Sequence, residues 1–174
     1  MTTKWKCSYC DQWHTDLPLA YGPLYPDYYL QIPEAEREER SQIDEEFCII
    51  DCEHFFVRGR LEIPILDSEE TFAWVVWVSL SETNFGRTIE LLEKDGRESE
   101  PPYFGWLSTH LSIYTTETRS LRTHVHTRVV GLLPTIEVES IDHPLSLDQR
   151  NGITLDRVRE IASLLLHEDT NREH

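Results

Sequence analysis

TFAWVVWVSL, residues 71–80, decides the fold. It is an almost unbroken apolar run of β-branched and aromatic residues, bounded by polar stretches, and reads as a central strand covered on both faces. It falls well short of the roughly 18 apolar residues a membrane helix needs. Just before it, FFVRGRLEIPIL (55–66) alternates, with Phe56, Arg58 and Arg60 on one side and Phe55, Val57 and Gly59 on the other, until Gly59 admits a bulge or bend. FCIID (47–51) adds a third β segment.

Beyond the central strand, Leu80, Ser81 and Phe85 form a hydrophobic staple around a serine N-cap. They open a helix with Phe85, Ile89 and Leu92 inward, closed by KDG at 94–96. PPYFGWLSTHLSIY reads as an aromatic loop or irregular strand, and RSLRTHVHTRVV and LPTIEVES as an antiparallel pair joined near Gly131. The segment DHPLSLDQRNGITLDRVREIASLLLH predicts a short helical turn closed at Gly152. A helix capped by Thr154 follows, with an apolar stripe of Leu155, Val158, Ile161, Ala162 and Leu165. Before the strands, residues 11–33 carry four prolines among aromatics, and PEAEREERSQIDEE reads as a surface helix. The expectation is an α+β fold, a mainly antiparallel sheet with helices packed on one face and an N-terminal C-x2-C knuckle. The 174 residues form one domain: a Cys-, aromatic- and Pro-rich segment over 1–33, an α+β core over 34–168 and a flexible tail over 169–174.

Acidic residues outnumber basic ones 32 to 16, a formal net charge of −16 that repels a phosphate backbone and argues against nucleic acid as partner. The same field speeds encounter with a basic protein. MTTKWKCSYC has no stretch resembling a signal peptide and no membrane span follows, so the expected location is cytoplasmic. There the four cysteines are thiols or metal ligands rather than disulfides.

Cys7 and Cys10 have the spacing that lets the amides of a tight turn point at two thiolates on one tetrahedral ion, with zinc the natural occupant. The bland reading is two unligated thiols near a chain end. The preferred ligand set adds His14, which needs no long-range contact, and Cys48, which does. Cys52, His54 and His143 are the reserves. Cys48 and Cys52 lie roughly 13 Å apart on an extended strand and reach one ion only through a turn. A closed four-ligand site contributes to folding, not catalysis.

His124 and His126 share one face of a strand. With His143, Glu137 and Glu139 they define the enzyme alternative, a metal-dependent hydrolase or isomerase. No G-x-S-x-G, H-E-x-x-H, P-loop or G-x-G-x-x-G occurs. The leading reading is therefore a non-enzymatic protein-binding domain with a structural zinc. An immunity or inhibitor protein for a basic toxin is one concrete form of it, and a homo-oligomer formed through Tyr21, Tyr25, Tyr28 and Tyr29 a further alternative.

Taken together, CSYC with His14, FFVRGRLEIPI, WVSLSETNF, PPYFGWL, DHPLSLDQRNGI and the closing LLLH resemble a bacterial family known as domain of unknown function 2199, from about Cys7 to His167. The resemblance implies a small stand-alone protein with C-x2-C followed by Gly, and no catalytic residues to carry over. Asp11 stands where that Gly falls, and Asp visits left-handed backbone only at a cost. Asp142, His143, Gln149 and Arg150 in the DHPLSLDQRNGI block are the candidates for a functional surface, with helix capping the competing explanation.

Overall fold

A computed structural model describes residues 4–168, so the tail expected at 169–174 lies outside the described residues. The chain opens with β1 (Trp5–Lys6), β2 (Trp13–His14), β3 (Ala20–Tyr21), α1 (Asp27–Leu30), α2 (Arg37–Arg40), β4 (Ser41–Ile43) and β5 (Phe47–Ile50). The long strands β6 (His54–Pro64) and β7 (Thr71–Leu80) follow, then α3 (Glu82–Glu90), β8 (Tyr103–Leu107), β9 (Arg122–His126), β10 (Thr135–Val138), α4 (Pro144–Asn151) and α5 (Leu155–Glu168).

β6 and β7 pair antiparallel without interruption, from Phe55 opposite Leu80 to Pro64 opposite Thr71, so the chain makes no bulge at Gly59. The glycine serves a close approach instead. A Cβ there would sit 2.5 Å from Ile136 Cδ1 and 2.9 Å from the Pro134 carbonyl oxygen, where β10 crosses β6.

The fold is α+β with a mainly antiparallel sheet, as expected, and the sheet closes on itself, which the sequence reading did not foresee. Strands β6 to β10 form a five-stranded barrel, with β7–β8, β8–β9 and β9–β10 antiparallel and β10 returning to β6. In a meander the first and fifth strands run the same way, so the closing pair has to be parallel, as Thr135 opposite Arg60 is. Closure pairs the edges of the five barrel strands, leaving only the short β3 and β4 as the sheet's outer strands.

The length of β6 and β7 explains the extra strands. Past the barrel partners, β3 lies parallel on β7 at Ala73 and Trp74, while β5 lies antiparallel on β6 and carries β4 outside it. Phe72, Trp74, Val76 and Val78 enter the main core. On the other face of β7, Trp77 packs with Ile32, Cys48, Ile50 and Phe56. Both faces of the central strand are thus covered, which its continuous apolar run requires.

α3 starts as its sequence dictates, the Ser81 hydroxyl accepting from Asn84 N at 3.2 Å. PEAEREERSQIDEE forms only a 3-10 turn and the four-residue α2 before turning into β4. The Asp44 carboxylate accepts from the amides of Glu46 and Phe47, both at 2.8 Å, and this local turn competes successfully with helix. Thr154 caps α5 by accepting from Arg157 N at 3.2 Å. Val158 and Ile161 join the main core, while Ala162 packs against Trp5 and Cys7. No helix among the described residues is long and apolar enough to cross a membrane.

Candidate metal centre

β1 and β2 pair Trp5 with His14 and Lys6 with Trp13, and the intervening residues turn tightly. Cys7 N donates to Gln12 O at 2.9 Å and Asp11 N to Cys7 O at 3.1 Å. Asp11 takes φ +56°, the left-handed backbone for which glycine is better suited, and its carboxylate meets Lys6 Nζ at 3.0 Å. The geometry of the position is thus retained without the glycine.

This turn brings Cys7 Sγ, Cys10 Sγ and one His14 ring nitrogen within 4.8 Å of one another. Cys10 Sγ lies 3.5 Å from His14 Nε2. With Zn–S about 2.3 Å and Zn–N about 2.0–2.1 Å, the S···N edge of a tetrahedron is about 3.6 Å, so the pair already stands at ligand spacing. Cys7 is fully buried and Cys10 half-buried.

Burial alone would raise the Cys7 thiol. The amide of Cys10, the Ser163 hydroxyl, the amide of Tyr9 and His167 outweigh it and bring the group from 9.0 down to about 6. A thiolate at neutral pH is the form that binds metal. Cys48 is the contrast: burial, helped by Asp44, pushes it up to about 12, so it remains a thiol. It sits in β5 against Trp77 and Phe56, and it does not belong to the Cys7 group. The chain does turn after Cys48, with Asp51 and Cys52 at positive φ, but Cys52 is exposed and the two sulfurs form no group with a third ligand among the described residues.

The last helix approaches the same turn. Ser8 N donates to Ser163 Oγ at 3.3 Å, and His167 Nε2 lies 3.3 Å from Cys7 Sγ with its ring stacked on Tyr9, centroids 4.4 Å apart. Sequence reading missed His167. The available signal was its place one helical turn after Ser163, on the face of α5 away from the apolar stripe.

The other candidates are dispersed. His124 faces Glu139 at 3.5 Å and His126 faces Glu137 at 2.9 Å on the exposed side of the β9–β10 pair. His143 is buried elsewhere. Its Nδ1 accepts from Leu145 N at 3.1 Å, which makes Nε2 the protonated nitrogen, donating to Glu117 O at 3.0 Å. A ring committed at both nitrogens caps α4 and offers no lone pair to an ion. The three imidazoles form no common group of ligand atoms among the described residues.

Gln149 closes the barrel seam. Its Oε1 accepts from Val138 N at 2.8 Å and its Nε2 donates to Ile136 O at 2.8 Å, pairing with the edge of β10 as a strand would. Arg150 donates to Ile141 O at 2.9 Å, and Asp142 is exposed.

Neither the curated proteins nor the solved structures contain a match to the chain. Residues 6–153, a span holding the paired cysteines, the whole barrel and α4, match the family described as "Uncharacterized protein conserved in bacteria (DUF2199)", and the chain belongs to that family.

Proposed function

We propose that the protein is a non-catalytic binding domain whose N-terminal hairpin is a C-x2-C knuckle held by a structural zinc ion. The observation that carries this reading is the group of Cys7, Cys10 and His14 with all three ligand atoms within 4.8 Å, one of them a buried sulfur favoured as thiolate. The two-residue strands are held partly by packing of Trp5 and Cys7 on Ala162, and a bound ion would add a cross-link within the turn itself. A reducing, cytoplasmic setting suits free thiols in this role.

The partner we infer is a basic protein. Between Glu34 and Glu53 the chain carries nine acidic residues against Arg37 and Arg40, and all nine are exposed. With a net charge of −16 behind it, this face attracts a cationic surface from a distance. An inhibitor of a basic toxin is one partner relation of this kind.

Elemental analysis of the purified protein tests the metal. About one zinc per chain is expected, lost in Cys7→Ser. Zinc-free protein of unchanged stability, or equal zinc in Cys7→Ser, overturns it. For the partner, capture of a basic protein that weakens steeply with added salt supports the docking face, and binding indifferent to salt counts against it.

A further inference from the structure

Three protein ligands leave zinc one position for water, the arrangement of a catalytic site, whereas four close it. The structure brings a further donor, from α5, to Cys7; His167 stands outside the set of atoms lying within 4.8 Å of one another, so joining the ion requires its ring to swing toward Cys10 and His14. His167 Nε2 stands 3.3 Å from Cys7 Sγ, close to the S···N edge of about 3.6 Å that tetrahedral zinc imposes. Two contacts hold it beside Cys7. Ser163, one turn earlier on α5, accepts from the amide of Ser8 at 3.3 Å and seats the helix on the turn. Tyr9, between the two cysteines, stacks on the His167 ring at an interplanar angle of 23° and sets its orientation.

Cys7 therefore lies between two imidazole-bearing elements, the β2 strand with His14 and the last turn of α5. We propose that His167 is the fourth ligand, so that a single zinc ion bound by Cys7, Cys10, His14 and His167 joins the first hairpin of the chain to its last helix. This rests on the reading of the three-residue group as a metal site, and it replaces Cys48 in the set. Such a site is closed to water, and its effect is to dock α5.

Cobalt(II) alone, added to zinc-free full-length protein, reports the coordination. Wild type is expected to take one cobalt per chain with intense tetrahedral d–d absorption. Loss of an outer-shell partner already costs 10–100-fold in affinity, so His167→Ala is expected to bind cobalt at least about a hundredfold more weakly. Its spectrum should be that of a water-bearing site, and free imidazole should restore the wild-type form. His167→Cys keeps a donor at the position and is expected to fold. Its thiolate-to-cobalt absorption should rise about 1.5-fold as three sulfurs replace two. In wild type, metal removal should lower amide-exchange protection in α5.

If wild type binds cobalt and His167→Ala matches it in affinity and spectrum, His167 is not a ligand and the three-residue reading survives. An unchanged tetrahedral spectrum in His167→Leu, which keeps bulk against Tyr9 but no donor, excludes His167 equally, independently of whether the alanine variant folds. Loss of the tetrahedral spectrum in Cys48→Ser but not in His167→Ala would return the fourth position to Cys48. If wild type takes neither cobalt nor zinc, the three-residue reading falls and the proposal with it.

Discussion

Gln149→Leu leaves an apolar side chain one atom shorter and removes both ends of the amide. Val138 and Ile136 are 3% and 1% exposed, so their freed N–H and C=O find no water in place of the lost bonds of 2.8 Å each. A buried group left unsatisfied costs about 1–3 kcal/mol, which puts the loss at about 2–6 kcal/mol. The third contact, to Glu62 O at 3.4 Å, is too long to add much. At about 2–4 °C per kcal/mol for a chain of this size, the midpoint of thermal unfolding should fall by roughly 4–24 °C. Urea titration should show the same loss as a lower midpoint. Gln149→Glu sharpens the test. The carboxylate still accepts from Val138 N but faces the Ile136 carbonyl, so the variant should be unstable at neutral pH. It should recover as acidification restores a donor. A Gln149→Leu protein within about 0.5 kcal/mol of wild type would refute the structural account of the seam. If that protein also lost partner binding, Gln149 would belong to a functional surface.

The Cβ of Gly59→Ala meets a backbone oxygen and a buried isoleucine, so overpacking should cost about 1–3 kcal/mol, measured by denaturant unfolding. In metal-free protein, Cys7 titrates lower folded than unfolded. Its contribution should be complete above 9.0, shrink as pH falls and vanish below about 6. The stability gap between wild type and Cys7→Ala should therefore widen from pH 6 to 9, and a flat gap would contradict the depressed thiol. Cys48→Ser should lose about 1–3 kcal/mol through a buried hydroxyl, yet leave the zinc content unchanged by elemental analysis. Ser81→Ala should cost about 1 kcal/mol of thermal stability through the lost cap of α3.

What the sequence discloses and what it withholds divide along sequence separation. TFAWVVWVSL and FFVRGRLEIPIL form one hairpin, and the pairing of Arg122–His126 with Thr135–Val138 lies in neighbouring residues. Caps at Ser81 and Thr154 are likewise local, and each is legible. Barrel closure is not, because it depends on Thr135 finding Arg60, and an alternating strand looks the same in a sheet and in a barrel. Gly59 shows the limit in one residue: a bend and a close crossing both ask for glycine. In the site, Cys7, Cys10 and His14 sit within eight residues and declare themselves. His167, the proposed fourth ligand, is separated from Cys7 by 160 positions, and only its place one turn after Ser163 points to it. Cys48 attracts attention because cysteine is the commoner partner of cysteine, whereas its β5 environment is apolar.

The docking of the first hairpin on α5 also fixes an order of events during synthesis. Cys7 and His167 are 160 residues apart, which at 5–20 residues per second is roughly 8–32 s of translation. Throughout that interval the hairpin emerges without the surface that buries Trp5 and Cys7, while the long β6–β7 hairpin can already zip by itself. The first hairpin and α5 meet last. A chain truncated before α5 would therefore lack the helix that covers the hairpin and leave both N-terminal thiols more open to oxidation.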